Sequence, residues 1–281
     1  MKRMLEKNGS NFYVNASSVD IITTCPRKAE YSIKRKMRKE EEGEALVFGS
    51  AIHSALEAFY KATPGTRTLS EMVEAFNQAA GELHYLPETE KRSVSNGHKI
   101  LGRYFSTYGN DPWVTYVDDS GPFVERTFEL KFKDGLFVHG QIDCALQNTE
   151  TGEVVICDHK TTSSCSDLIN RVKPNTQFSL YAWAAVQMGL PVKRVMVNGI
   201  QVAKTKSDFL RIFTDRGEDD FRELELSLDH AVHLYNRFDQ SEAWPMNTSS
   251  CSNYGGCQYL SICQLDRKLR ESAIQSIYPG R

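Results

Sequence analysis

Apolar residues change their spacing near position 112, and that change divides the chain into a helical part and a sheet-forming part. Before it, apolar residues recur every three to four positions, the spacing of one helix face, over 49–61, 69–85 and 88–108. After it, the stretches typical of β-strands cover 123–132, 136–146 and 154–160. The pattern predicts an α/β fold in which an N-terminal helical lobe precedes a small mixed sheet.

Shorter patterns complete the predicted order of elements. Asn15 offers an N-cap before a helix over 19–25, whereas 1–11 is predicted to be a loose start. The other predicted elements are helices over 29–39, 175–188 and 222–237, an irregular connection over 161–170, and strands over 192–202 and 209–213 that form a second hairpin. We expect one compact unit made of four segments. Residues 1–48 contain the first cluster cysteine, and residues 49–112 form the helical lobe with His53. Residues 113–216 form the core, with the sheet and its helix, and residues 217–281 contain the last helix and the other three cluster cysteines.

Two of the predicted strands carry carboxylates near their ends. Asp143 and Asp158 belong to neighbouring strands, which the turn at 149–152 joins as a hairpin. Lys160 follows two residues after Asp158, so both side chains project from one face of the strand. Hard cations such as Mg²⁺ prefer carboxylate ligands, and a bound cation assists phosphodiester hydrolysis. The alternative is an exposed hairpin with a surface ion pair, which is the more common meaning of Asp-x-Lys alone.

Four motifs in one order resemble those of the PD-(D/E)XK nuclease superfamily, in its RecB-like branch. They are Gly-x-x-x-His-x-x-Leu-Glu at 49–57, Gly-Gln-Ile-Asp at 140–143, Asp-His-Lys at 158–160 and Gln-x-x-x-Tyr at 177–181. The likeness is above all to CRISPR-associated and phage-borne exonucleases with an iron–sulfur cluster, and more distantly to the AddB nuclease domain. It implies a restriction-endonuclease-like core, a small mixed sheet flanked by helices, with a C-terminal iron–sulfur-binding segment.

The resemblance also implies a role for each polar residue in these motifs. The ligands of Mg²⁺ or Mn²⁺ would be His53, Asp143 and Asp158. Lys160 would position the attacking water and offset charge in the transition state. The helix face that looks at the metal centre and the bound strand would carry Gln177 and Tyr181, which stand four residues apart.

Three of these residues have a simpler interpretation as well. A lone histidine beside an apolar helix face, such as His53, is usually a hydrogen-bonded structural residue. Tyr181 is able to pack in the core with Leu180 and Trp183. Glu125 resembles a glutamate that relatives carry on the strand before the metal pair, but an exposed strand residue fits the sequence as well.

Cysteines form a second candidate metal site near the two ends of the chain. Cys251, Cys257 and Cys263 have five residues between each pair, and Cys25 precedes a proline near the start. Four thiolates suit either tetrahedral zinc or an iron–sulfur cluster. The resemblance implies a 4Fe-4S cluster that ties the chain ends together, although relatives often have two residues in the first gap. The other three cysteines, which we expect to have no role, are Cys144, Cys157 and Cys165.

Composition narrows the class of protein. The 281 residues are 40% hydrophobic and carry a formal net charge of −2, so a nucleic-acid binder of this kind must concentrate its positive charge locally. A basic stretch that either contacts phosphates or forms a solvated helix face contains Arg27, Lys28, Lys34, Arg35, Lys36, Arg38 and Lys39, followed by acidic 40–42. No apolar run approaches the roughly 20 residues that span a bilayer. We therefore expect a protein that does not enter membranes, in the cytoplasm of a bacterium, an archaeon or a phage-infected host cell.

The resemblance leads to one functional expectation and two alternatives. We expect a metal-dependent exonuclease that hydrolyses single-stranded DNA ends in recombination, repair or CRISPR adaptation, with a helicase, integrase or recombination protein as a possible partner. The first alternative is a catalytically inactive DNA-binding or adaptor protein on the same fold. The second is a structural protein stabilised by zinc, whose hairpin carboxylates are incidental.

Overall fold

The computed structural model describes residues 5–9, 11–37, 43–205, 207–253 and 256–278. Contacts along the chain divide it into two units. Unit 1 consists of Met1–Glu41, Glu129–Gly140 and Arg222–Arg281, and unit 2 of Glu42–Phe128 and Gln141–Phe221. Among the described residues, none of the helices combines the length and apolarity that crossing a bilayer requires.

The strands of the described residues are numbered in chain order. They are β1 (Glu6–Asn8), β2 (Asn11–Val14), β3 (Trp113–Thr115), β4 (Val117–Asp118), β5 (Gly121–Pro122), β6 (Val124–Lys133), β7 (Leu136–Asn148), β8 (Val154–Thr162), β9 (Arg194–Gln201) and β10 (Phe209–Asp215). The α-helices are α1 (Ala16–Thr24), α2 (Pro26–Ala29), α3 (Glu44–Lys61), α4 (Leu69–Ala79), α5 (Val94–Tyr108), α6 (Cys165–Ile169), α7 (Thr176–Gln187), α8 (Glu218–Ser241), α9 (Leu260–Cys263) and α10 (Arg270–Ile277).

Unit 2 contains the mixed sheet that the apolar pattern predicts. The predicted hairpin is present, because β7 and β8 pair antiparallel from Cys144↔Cys157 to Gln147↔Val154. β8 and β9 are parallel, and the crossover between them contains α6 and α7, as a parallel connection requires. β9 and β10 form the second predicted hairpin. The expectation of a mixed sheet with flanking helices is therefore confirmed for this unit.

Alternate residues of β9 pack against helices on opposite faces of the sheet. Met196 and Ile200 belong to a buried cluster that contains residues of α3, α4 and α5. Val195 and Val197 belong to a second buried cluster, with Phe178 of α7. Because side chains alternate along a strand, β8 also has an α3 face and an α7 face. Neighbouring residues of β8 therefore serve two different environments.

Unit 1 is built from short elements around an aromatic cluster. β1 and β2 form a hairpin, and β2 runs parallel to the first residues of β7 from Phe12↔Leu136 to Val14↔Val138. The buried cluster consists of Tyr31, Met37, Tyr259, Ile262, Ile274 and Tyr278. Tyr259 donates a hydrogen bond of 2.6 Å to the carbonyl oxygen of Met37, which joins segments 222 residues apart in the chain.

Several predicted boundaries are wrong, each for a local reason. The loose start expected over 1–11 contains β1 and the first residue of β2 in its described part, because strands of three and four residues are too short for an apolar period to show. Residues 1–4 and 10 lie outside the described residues. The helix expected over 29–39 continues only as a π-helical turn, Glu30–Lys34, before Lys36 adopts a positive φ of 53°. The later positions Arg38, Lys39 and 40–42 lie outside the described residues.

Capping explains two other boundaries. α5 begins at Val94 rather than at 88 because the Ser93 side chain accepts a hydrogen bond from the Asn96 N–H and ends the preceding turn. α1 begins as expected, since the Asn15 and Ser18 side chains form a reciprocal capping box. The sequence patterns missed the short helices α6 and α10, because each contains only three apolar residues, too few to define a helical period.

Candidate active site

The hydrogen-bonded ladder between β7 and β8 stops just before the two candidate carboxylates. Its last register pair is Cys144↔Cys157, so Asp143 and Asp158 would be the next pair. At that point the N–H of His159 donates to the Asp143 carboxylate (2.8 Å) instead of to a backbone carbonyl. The end of the ladder therefore gives Asp143 a fixed position beside β8.

A helix brings His53 to the same carboxylate. Nδ1 of His53, on α3, lies 3.5 Å from Oδ2 of Asp143. Gly49, one turn earlier in the helix, permits this approach, because a Cβ at that position would lie 3.2 Å from the Thr161 hydroxyl oxygen of β8. The glycine and the histidine of the 49–57 motif thus act together, the first by allowing close packing and the second by reaching the carboxylate.

Glu125 completes a group of three potential ligands. One ligand atom each from His53, Glu125 and Asp143 lies within 4.8 Å of the others. Glu125 has a positive φ of 51° in β6, where few residues other than glycine are found, and its carboxylate accepts a hydrogen bond from Gln141. Backbone strain at a residue that holds a carboxylate in a group of ligands is typical of a functional site.

Asp158 lies with Lys160 rather than within that group of three. Its side chain is 1% exposed, and Oδ2 lies 2.6 Å from Nζ of Lys160, whose side chain is 34% exposed. The prediction that these two residues project from one face of β8 is confirmed. The ammonium also lies 5.7 Å from the centre of the Phe178 ring on α7.

Gln177 and Tyr181 share one face of α7, as their spacing predicts. The Gln177 amide donates to Oδ1 of Asp158 (3.3 Å) and to the hydroxyl of Tyr181 (3.1 Å). The N-cap Asn175 accepts from the Phe178 N–H and determines where the helix begins. Tyr181 is also buried and lies edge-on to Phe128. Its hydroxyl therefore belongs to the site while its ring belongs to the core.

Burial favours the uncharged form of each of these groups, and a neighbouring charge of opposite sign opposes it. It raises the pKa of Asp158 to about 6 against the lowering effect of Lys160, and the charge of Asp143 adds to the rise. It lowers the pKa of His53, an effect that the Asp143 carboxylate opposes. Burial also lowers the pKa of Lys160, but Asp158 outweighs it and the net shift is upward. Lys160 is thus a charged donor and His53 a neutral imidazole near neutral pH.

This donor set fits a hard divalent cation. Carboxylate oxygens suit Mg²⁺ and Mn²⁺, and a neutral imidazole is a ligand that Mn²⁺ accepts readily. The residues able to contribute are His53, Glu125, Asp143 and, from the neighbouring strand, Asp158. A cation would supply Lewis-acid stabilisation of a phosphoryl oxygen, and Lys160 adds a positive charge beside it.

The four cysteines assigned to a cluster all lie in unit 1. Cys25 is buried, and the others are half-buried. Burial raises the pKa of the Cys263 thiol, and nearby Cys257 and Cys25 raise it further. The N–H of Cys257 donates to the carbonyl oxygen of Cys251 (2.8 Å). Tyr254 and Gly255, in the first gap between the cysteines, lie outside the described residues. Within the part of the chain that the structure describes, no three of the four sulfurs lie within 4.8 Å of one another.

Part of the basic stretch is neutralised within unit 1. The ion pairs are Arg27 with Glu30, Lys34 with Asp239 and Arg35 with Glu271. The last is bidentate, with distances of 2.7 and 2.9 Å between nitrogen and oxygen. These contacts favour the interpretation of a solvated, ion-paired face over that of a row of phosphate ligands.

Sequence reasoning missed the residues beneath the site. The motif gives His159 only as the middle position of Asp-His-Lys, yet this residue is buried and contacts both Asp143 and the His53 ring. Asn198, an amide in an otherwise apolar strand, is fully buried beside it. An isolated asparagine between Val197 and Gly199 was the available signal, because a buried amide requires partners.

Comparison with known proteins defines the family. The sequence profile of the PD-(D/E)XK nuclease superfamily matches residues 13–264. The chain therefore belongs to the PD-(D/E)XK nuclease superfamily. No curated protein matches the chain.

One of two similar solved structures supports the fold. One, a protein from Eubacterium rectale provisionally assigned as an exonuclease, is 13% identical, with a TM-score of 0.55 over 96% of this chain and 94% of its own. Another, SSO0001, is 15% identical with a TM-score of 0.40 over 92% of this chain and 88% of its own, which is too low to bear on the fold. The expected fold class is confirmed by the family and by the first structure.

Proposed function

We propose that the chain is a metal-dependent deoxyribonuclease that hydrolyses phosphodiester bonds at single-stranded DNA ends. The observation that carries the proposal is the Asp158–Lys160 pair, 2.6 Å apart, on a strand that also fixes Asp143 through the N–H of His159. Membership of a nuclease superfamily supports the reaction class. The similarity to the Eubacterium rectale protein, which is provisionally assigned as an exonuclease, supports exonuclease action.

Some residues of the site would bind a divalent cation, and Lys160 would stabilise the negative charge that develops during hydrolysis. His53, Asp143 and Asp158, with Glu125 as a fourth donor, would hold Mg²⁺ or Mn²⁺. When bound, the cation supplies Lewis-acid stabilisation of the scissile phosphoryl group and makes water more acidic. Lys160 keeps its proton because Asp158 raises its pKa, so it acts as a charged donor to the attacking water and to the developing negative charge.

Gln177 would orient the Asp158 carboxylate, and Tyr181 would orient the bound strand or a water molecule. The Gln177 amide restrains the Asp158 carboxylate through Oδ1, so Oδ2 keeps its direction toward Lys160. The Tyr181 hydroxyl, held by the same amide, stays protonated because burial raises its pKa. It is therefore available as a hydrogen-bond donor to the bound strand or to water, but not as a base.

The cysteines of unit 1 form the second part of the proposal. We propose that Cys25, Cys251, Cys257 and Cys263 hold a 4Fe-4S cluster with a structural function. The Cys257 and Cys25 thiols raise the pKa of the Cys263 thiol, which supports the proximity of these three cysteines. Recombination, repair and CRISPR adaptation, with a helicase or integrase as partner, remain the settings that the resemblance suggests.

End-labelled digestion tests the enzyme proposal. Single-stranded DNA labelled at its 5′ or 3′ end is incubated with Mn²⁺, with Mg²⁺, with Ca²⁺ and with chelator, beside duplex DNA and single-stranded RNA. We expect short products from one end with Mn²⁺ or Mg²⁺ and none with chelator. Binding of the strand without cleavage under any cation would instead support the inactive DNA-binding alternative.

A further inference from the structure

A chain of buried polar groups runs beneath the carboxylates of unit 2. The amide nitrogen of Asn198 lies 3.0 Å from Nδ1 of His159 and 2.8 Å from the Tyr104 hydroxyl. The Tyr104 hydroxyl lies 2.8 Å from the Tyr60 hydroxyl, which accepts a hydrogen bond from Arg211 (3.3 Å). Asn198 is 0% and His159 3% exposed, so the chain is removed from solvent.

Burying these polar groups among apolar side chains costs free energy. They lie on the α3 face of the sheet, where the cluster is otherwise made of aliphatic and aromatic side chains with two cysteines. A buried polar group costs free energy unless it is hydrogen-bonded, and a partly satisfied network is less favourable than an apolar core. Apolar side chains would fill this space at lower cost. A function in orienting other groups explains why polar ones stand here.

His159 is the one member of the chain that touches two candidate ligands. Its main-chain N–H holds Oδ2 of Asp143 at 2.8 Å. Its ring lies edge-on to the His53 ring, with centroids 5.8 Å apart and planes at 76°. Any tilt of the His159 ring therefore moves the surface against which His53 rests, and a shift of its backbone moves Asp143.

Packing and polar contacts hold the His159 ring in place. Its face stacks on Tyr60, with centroids 5.3 Å apart and planes at 14°. Tyr60 stands seven residues, about two helical turns, after His53 on α3, so one helix supplies both the ligand and the platform. The amide of Asn198 restrains the rotation of the ring in its own plane through Nδ1. The sulfurs of Cys157 and Cys144 also lie near the ring, 3.8 Å from Nδ1 and 3.7 Å from Nε2.

We propose that His159 is a positioning residue that sets the geometry of His53 and Asp143 for a divalent cation, with Asn198 as its anchor. It does not touch substrate. The inference rests on the proposed metal-dependent function and deepens it. Groups that orient metal ligands typically change metal affinity by about 10- to 100-fold when replaced. The role therefore predicts a defect in cation binding rather than a defect in stability alone.

The experiment compares His159→Leu with His159→Asn in the full chain. Mn²⁺ binding is measured by electron paramagnetic resonance of the free ion, without DNA, and thermal unfolding is measured in parallel. In His159→Leu we expect the Kd for Mn²⁺ to rise about 10- to 100-fold. In His159→Asn, the side-chain amide places an oxygen near the position of Nδ1 and keeps the Asn198 partner, so the rise should be smaller.

A conservative variant guards against loss of the fold. Tyr104→Phe keeps the ring in the core but removes the hydroxyl that Asn198 contacts, and we expect a Kd for Mn²⁺ above that of the wild type with a native circular dichroism spectrum. In cleavage assays, the Mn²⁺ concentration for half-maximal rate should rise, while the rate at saturating Mn²⁺ stays within a few-fold of the wild type.

Each outcome decides between the two claims. A lower melting temperature with wild-type Mn²⁺ affinity in His159→Leu and Tyr104→Phe would make the network purely structural and overturn the inference. Wild-type protein that binds no Mn²⁺ at millimolar concentration would also overturn it. If the wild type binds Mn²⁺ and the variants bind it more weakly, but no nucleic acid is cleaved, the positioning role stands and the proposed enzyme activity fails.

Discussion

The candidate carboxylate site of unit 2 and the cysteine segment of unit 1 are built in opposite ways. The carboxylates stand on the long strands β7 and β8, where their paired ladder ends, and neighbouring groups donate hydrogen bonds to both of them. The cysteines stand on a four-residue helix, a 3₁₀ turn and connections between them. Strands and hydrogen bonds hold the residues of the first site in place. The cysteines lie on short elements, and the main packing near them is an aromatic cluster.

This difference indicates where a bound group contributes to stability. A sheet places its side chains by backbone hydrogen bonds, so removing a cation should leave the carboxylates in position. Short turns have few such bonds, and metal binding then supplies part of the folding free energy. We therefore expect cation loss to stop chemistry without unfolding unit 2, and cluster loss to destabilise unit 1.

The largest expected effect is on catalysis, from changes in unit 2. Asp158→Ala removes a buried carboxylate and Lys160→Ala removes the charged donor, so each should lower the cleavage rate by at least about 10²- to 10³-fold. The measurement is the initial rate on end-labelled single-stranded DNA at saturating Mn²⁺. Iron content and melting temperature should stay close to those of the wild type.

An exposed lysine serves as the control for this pair of variants. Lys204 is 57% exposed and pairs with Glu90 at 3.6 Å, so Lys204→Ala should keep full activity. Wild-type rates in either Asp158→Ala or Lys160→Ala would remove those residues from the catalytic assignment.

The next largest effect concerns the stability of unit 1. Cys257→Ser should lose the iron and sulfide and lower the melting temperature by about 10 °C, which corresponds to a few kcal/mol in a domain of this size. The measurements are metal analysis, visible absorbance and calorimetry. Cys165→Ser, a half-buried thiol in unit 2, is the matched control and should retain both iron and stability. Equal iron content in the two variants would contradict the cluster assignment.

A smaller effect is expected from pH on the carboxylate site. The pKa of Asp158 is raised from 3.8 to about 6, so protons compete with a cation through that pH range. Apparent Mn²⁺ affinity in metal-free protein should be nearly constant above about pH 7 and fall by up to tenfold for each unit below about 6. Titrations at pH 5, 6 and 7.5 check this. A flat profile between pH 7.5 and 5 would exclude Asp158 as a ligand.

The smallest effect concerns one hydrogen bond of the aromatic cluster. Tyr259→Phe removes the donor to the Met37 carbonyl oxygen, a contact of 2.6 Å, and should cost about 1 kcal/mol. That corresponds to roughly 2–4 °C in melting temperature. Tyr85→Phe, at a position that is 88% exposed, should change nothing measurable. A similar shift in both variants would show that the buried hydroxyl adds no specific stability.

Local patterns predicted the parts of the site that depend on periodicity. The turn at 149–152 and the two-residue spacing of Asp158 and Lys160 required the hairpin and the shared strand face, both of which the structure has. The four-residue spacing of Gln177 and Tyr181 required one helix face, and one amide contacts both the carboxylate and the hydroxyl. These relations hold within single elements or one hairpin.

Relations between distant elements were not predictable in the same way. Glu125 joins His53 and Asp143 because β6 bends at a positive φ, and no apolar period encodes that strain. His159 meets Asn198 and Tyr60 only after the β8–β9 crossover and the packing of α3.

By itself, the sequence determined the α/β class, the carboxylate hairpin and the residues that repeat along one face, because these follow from backbone periods of two and 3.6 residues. The tertiary structure alone decided which side chains from separate elements converge and how deeply Asp158 is buried. Those properties follow from packing and desolvation, which act between residues far apart in the chain.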